Sequence, residues 1–132
     1  MYTRALSSTL AALAALSFAL PSVAERPQGP IEHTVFFALR HEPGSDAEKA
    51  FFDRAGALSE IPGVEGLRRV DEISPKNPYR YGLVMHFSSP SAYARYNEHP
   101  EHQRFVEEVW IPNVSQFIEI DYVSPRPRGS AQ

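Results

Sequence analysis

The densest run of reactive side chains in this sequence is Tyr96-Asn97-Glu98-His99-Pro100-Glu101-His102. A tyrosine hydroxyl can donate to an oxygen on which negative charge develops, and an imidazole of ordinary pKa, ~6.5, exchanges protons near neutral pH. A histidine acting as a base needs an acceptor to fix its tautomer. Asp121 is a charge in an otherwise apolar stretch, and if its side of the strand lies against the segment carrying His102, the two form a carboxylate–histidine pair. Tyr96, His102 and Asp121 are therefore the candidate catalytic residues: a carbonyl-polarising donor, a general base and the group that orients it. Each has a plainer reading too. Tyr96 can be core packing, Asp121 an edge-strand charge, and His99 a cap where Pro100 breaks a helix. His33 is either a pocket residue or a satisfied buried histidine, while His41 and His86 read as structural. His99 and His102 stand three apart, but without cysteine or a third ligand that spacing makes no metal site. No metal or cofactor is expected.

The elements that must position these groups are legible from periodicity. Residues 31–39 place Ile31, His33, Val35, Phe37 and Leu39 on one face and Thr34, Phe36 and Ala38 on the other, so they form a strand apolar on both sides. Such a strand needs cover on both faces: helices of its own chain on one and, on the other, a second subunit. Ser45-Asp46-Ala47-Glu48 has capping-box spacing, and Ala47, Phe51, Ala55 and Leu58 follow at helical intervals, up to Ile61-Pro62-Gly63. Residues 64–73 predict a second strand whose charges mark an edge. Residues 81–87 predict a third, and Ser89-Pro90 opens a helix that breaks at His99-Pro100 and resumes over 101–110. Residues 116–123 predict the last strand. The order β-α-β-β-α-β is that of a ferredoxin-like α+β fold.

Around this unit the sequence changes character. Residues 1–24 pair a short basic start at Arg4 with an apolar run and small residues at Val23-Ala24, the pattern of a cleaved signal peptide. The apolar run is shorter than the ~20 residues a bilayer span requires. Residues 25–30 read as a linker and 124–132 as a disordered tail, leaving 31–123 as the domain. The chain has no cysteine, hence neither a disulfide nor the lipidated cysteine of a bacterial lipoprotein. The expectation is a periplasmic or secreted protein free of the membrane after cleavage. Its net charge of −3, with both signs interspersed, is unlike the footprint of a nucleic-acid binder. A domain this small, without staples, also gains from a partner subunit.

Four segments together resemble the stress-responsive A/B-barrel (Dabb) family: Ile31-Glu32-His33-Thr34-Val35-Phe36-Phe37, Ile61-Pro62-Gly63-Val64, the Tyr96 to His102 run, and Ile120-Asp121-Tyr122. The resemblance implies a homodimer whose sheets pair to form an α/β barrel, its interior holding a small apolar molecule. It also implies an alternative, the cofactor-independent aldol chemistry of olivetolic acid cyclase-like polyketide cyclases. There the residue matching His102 is the base, that matching Asp121 orients it, and that matching Tyr96 binds or polarises a carbonyl. His33 matches a further pocket residue, and His99 belongs to the shared motif. Tyr81 stands where the cyclases carry another pocket histidine, and is taken with His33 and His99 as a ligand-binding candidate.

Overall fold

Alternation of apolar side chains along three segments, and a break in a fourth, set the architecture of the computed structural model, which describes residues 28–124. The expected signal peptide, the first three residues of the expected linker and all but the first residue of the expected tail lie outside the described residues. Strands β1 (Ile31–Leu39), β2 (Glu65–Asp71), β3 (Tyr81–Phe87) and β4 (Val114–Tyr122) form one antiparallel sheet in the order β2-β3-β1-β4. The doubly apolar strand β1 is central, as its composition requires. Helices α1 (Asp46–Gly56), α2 (Pro90–Glu98) and α3 (Pro100–Phe105) complete the split βαβ pattern. A wide, π-type turn (Val106–Trp110) and a last short turn, α4 (Ile111–Asn113), lead into β4. No helix among the described residues is long and apolar enough to cross a membrane.

The expected caps are present. Ser45 Oγ accepts from Glu48 N–H at 3.2 Å, and Ser89 Oγ accepts from Ala92 N–H at 3.1 Å with Pro90 at the first helical position. Glu48 does not close the box on Ser45. Its carboxylate reaches Gly44 N–H and is buried, where it also accepts from Tyr81. The inner turn of α1 therefore presents Glu48 rather than Ala47, which is exposed, together with Phe51 and Ala55. Between helices and sheet lies an aromatic core in which the Phe37 ring meets Phe51 at 5.5 Å and Trp110 at 4.9 Å.

Period-two geometry sorts β4 into two chemistries. Phe117, Glu119 and Asp121 lie opposite Phe37, Val35 and His33 on the helix side of the sheet, while Ile118, Ile120 and Tyr122 lie opposite Phe36, Thr34 and Glu32 on the outer side. No helix of the described chain covers that outer side, and its apolar residues on β4 remain about half exposed. On β3 the outer position is Gly82, where a side chain would come within 2.7 Å of both Phe36 and Val70. Glycine there lets those two side chains close over the strand.

Candidate functional site

His33 enters the site because it is the third residue of a central strand whose odd positions face the helices. It is buried, and its register partner on β4 is Asp121. His33 Nδ1–H donates to Asp121 Oδ1 at 2.7 Å, since a carboxylate only accepts, and in the neutral ring Nε2 is then the acceptor. The other oxygen of Asp121 accepts from the Tyr93 hydroxyl at 2.7 Å. That hydroxyl also stands 3.1 Å from Glu119 Oε1 and 3.3 Å from His33 Nδ1. Burial and the two neighbouring carboxylates raise the Tyr93 phenol far above its ordinary value, so it stays protonated. The carboxyl of Glu119 is itself pushed up, first by burial and then by Asp121, with His33 and Tyr93 opposing. His33, Glu119 and Asp121 bring three potential ligand atoms within 4.8 Å of one another, a mixed nitrogen and oxygen set of a kind divalent metals accept.

Beside this cluster opens a cleft of about 280 Å³. Val35, Met85, Phe105, Trp110 and Phe117 form its apolar walls, and His33, Tyr96, His102 and Glu119 bring polar atoms to it. Tyr96 is among the most deeply buried side chains, and burial raises its phenol well above the ordinary value. The His102 ring lies over Tyr96 with centroids 4.2 Å apart. His102 Nδ1–H donates to the Asn97 carbonyl at 3.3 Å. Burial pulls the His102 pKa below the ordinary histidine value; the Asn97 bond partly offsets this, and His33 and His99 add to the fall. His102 is thus held as a neutral imidazole, suited to accept a proton.

The geometry changes one pairing and relocates two candidates. Asp121 is engaged by His33 and Tyr93, whereas the partner of His102 is the Asn97 carbonyl. The carboxylate–histidine pair therefore forms across two neighbouring strands rather than between strand and helix. Tyr81 is not among the residues lining the cleft. Its hydroxyl donates to Glu48 Oε2 at 2.6 Å in a buried contact flanked by Arg69. His99 caps α3, accepting from Glu101 N–H at 3.2 Å, and lines a separate surface groove with Arg54 and Arg104. The cleft also lies on the helix side of the sheet, within one chain, and not on the outer side that would face a barrel interior. Tyr93 and Glu119 were missing from the candidate set. Each carries a signal: Tyr93 stands one helical turn before Tyr96, and Glu119 is a charge two residues before Asp121 on the same side of the strand.

The sequence model of the stress responsive A/B barrel domain matches residues 31–124. The chain belongs to that family. A Dabb family protein of Mesorhizobium loti with a ferredoxin-like fold is 46% identical, and its structure superposes with a TM-score of 0.73 over 75% of this chain and 100% of its own. At 15% identity the likeness reaches the hydroxynitrile lyase of Passiflora edulis (TM-score 0.66; 75% of this chain, 96% of the other). A dimeric ferredoxin-like protein of unknown function from Thermobifida fusca is similar at the same 15% identity (TM-score 0.61; 73% and 92%). These last two share the fold of the A/B barrel domain with this chain. No curated protein matches it.

Proposed function

We propose that this A/B barrel domain acts as an exported homodimer in which each subunit binds a small, mostly apolar molecule in the cleft between helices and sheet. The observation that carries this reading is the cleft itself: aromatic and aliphatic walls, with the few polar groups of His33, Tyr96, His102 and Glu119 gathered in it. Such a composition is what small-molecule sites use, apolar surface for affinity and sparse polar groups for orientation. Dimerisation is supported by the uncovered apolar side of β4 and by relatives described as dimeric. Trp110 is the only tryptophan in the chain and lines the cleft, so its fluorescence reports occupancy. Titration with neutral aromatic ketones such as acetophenone is expected to quench it saturably, and Val106→Phe, which fills the cleft without adding a tryptophan, to abolish binding. Binding that survives Val106→Phe, or no saturable response, overturns the proposal. Export is tested by the N-terminus of the protein recovered outside the cytoplasm, expected at Glu25.

A second reading is favoured by His102, whose pKa burial lowers, tilted against the Tyr96 phenol, which burial keeps protonated. In it the cleft performs cofactor-independent lyase or cyclase chemistry, with His102 as base and Tyr96 as donor to a carbonyl oxygen. The lyase among the structural relatives makes an aromatic cyanohydrin the natural first substrate to assay. Aldehyde release above the buffer rate, lost in a folded His102→Gln variant, supports this reading. Equal rates in the two proteins remove it.

A further inference from the structure

The charge in the cleft is unbalanced, and the imbalance points to a ligand class. Both oxygens of Asp121 are served by short bonds, from His33 Nδ1 and the Tyr93 hydroxyl, each at 2.7 Å. Glu119 has no comparable partner. It stands 3.9 Å from His33 Nδ1, outside hydrogen-bond reach; it accepts from the Tyr93 hydroxyl at 3.1 Å, a longer bond than the one that hydroxyl makes to Asp121; and its other neighbour is the like-charged Asp121 carboxylate. The groups acting on Glu119 are Asp121, His33 and Tyr93, with no lysine or arginine among them. None lines the cleft either. The arginines of the neighbouring helices are engaged elsewhere, Arg95 with Ser91 and Arg104 with Glu101. While Glu119 and Asp121 are both ionised, one imidazole cannot neutralise them, so even a protonated His33 leaves one negative charge facing the cleft.

Resting on the reading of this cleft as a binding site, we infer that its ligand is a cation: a small apolar molecule carrying an ammonium group that meets the Glu119 carboxylate. A neutral apolar ligand would cover Glu119 without giving it a donor, which is unfavourable, and an anionic ligand would meet a like charge. An ammonium brings three donors and a charge, and bonds between ionised partners are about twice as strong as neutral ones. The remaining walls suit it as well. Trp110, Phe117, Phe105 and Tyr96 line the same space, and aromatic faces attract cations while their area takes up an apolar body.

The test compares three probes of one shape, 2-phenylethylamine, 2-phenylethanol and phenylacetate, by Trp110 fluorescence in the full chain with a chelator present. The amine is expected to bind at least tenfold more tightly than the alcohol, with the acid weakest. Glu119→Gln closes the gap between amine and alcohol, and in the wild-type protein the gap narrows as salt is raised, because a half-exposed charge is screened. The salt series needs no variant and stands if Glu119→Gln fails to fold. Equal binding of amine and alcohol leaves the cleft reading intact and overturns the cation. Binding of none of the three defeats both. A response to zinc chloride with none to the amine, chelator omitted, also overturns the organic cation and assigns the surplus charge to a metal.

Discussion

Replacing Ile120 by arginine separates the two sides of the sheet experimentally. Ile120 sits on the outer side of β4 opposite Thr34 and keeps 48% of its surface exposed. Full burial of an isoleucine contributes roughly 1.5–3 kcal/mol, so covering the remaining half in a dimer contributes about 1 kcal/mol. In a two-fold dimer every substitution occurs twice, and the lost burial alone amounts to ~2 kcal/mol, a roughly thirtyfold weaker dimer. The arginine adds a cost for two guanidinium groups brought to an apolar contact. An unpaired buried charge costs several kcal/mol, about 3–5 where it cannot escape to water, and side-chain snorkelling reduces this. Together these put the change in dimer dissociation constant above roughly a hundredfold. The assay is sedimentation velocity over a dilution series, with Ile73→Arg as control, because Ile73 is 93% exposed between β2 and β3, off the sheet face. The wild type and Ile73→Arg should sediment as dimers and Ile120→Arg as a folded monomer. A wild type that is monomeric throughout, or an Ile120→Arg dimer with unchanged dilution behaviour, refutes the assignment of this surface.

Three other changes test the interior. Phe51→Ala removes a ring packed 5.5 Å from Phe37 and 5.2 Å from Phe52 and is expected to cost about 3–5 kcal/mol in urea unfolding; less than about 1 kcal/mol would mean the core collapses into the gap. Asp121→Ala strips the acceptor from buried His33 and from Tyr93 and is expected to cost about 1–3 kcal/mol, whereas an unchanged midpoint would show that those groups find water instead. Because the folded pKa of His102 lies below its ordinary value of 6.5, the unfolded chain takes up the proton first as pH falls through 6.5, so this residue opposes folding on the acid side and is silent above it. The stability difference between the wild type and His102→Gln should therefore drift against the wild type between neutral and mildly acid pH; a flat difference, or an imidazole titrating at 6.5 or above by NMR, contradicts the buried site.

Most of the fold could be read from the sequence because its signals are local. The alternation over residues 31–39 and 81–87 gave both central strands with the bounds observed, and the His99-Pro100 step marked the break between α2 and α3. Edge positions were less sharp. The second strand is shorter than its pattern, Glu65–Asp71, and inside it Gly66, with a positive φ of 58°, sits where the register shifts between Glu65 and Arg68. The wide turn at Val106–Trp110 has no side-chain signature. Within the site the residue types were visible but one pairing was misjudged. Asp121 was paired with His102 on the condition that its side of the strand faced the helices, and it does; yet β1 and β4 are antiparallel neighbours in this topology, so a histidine near the start of one falls beside an aspartate near the end of the other and takes it first. Glu119 was missed because an acidic residue in a strand reads as an edge feature until the strand is placed, and Asp121 beside it drew the one functional reading. Tyr81 was taken for a pocket residue, and nothing in the sequence linked it to Glu48 thirty-three residues earlier.

If the uncovered side is the dimer contact proposed above, the alternation of β4 ties self-association to the cleft through one ribbon of backbone. Hydrogen-bonded to a neighbour along one margin only, this segment holds carboxylates on the helix side of the sheet and branched hydrocarbons on the uncovered side, each by virtue of odd or even numbering. Substitutions can retune either job independently of the other. An insertion or deletion of one amino acid would exchange them, turning acids outward and grease inward, so drift in this stretch should be free in composition and frozen in length.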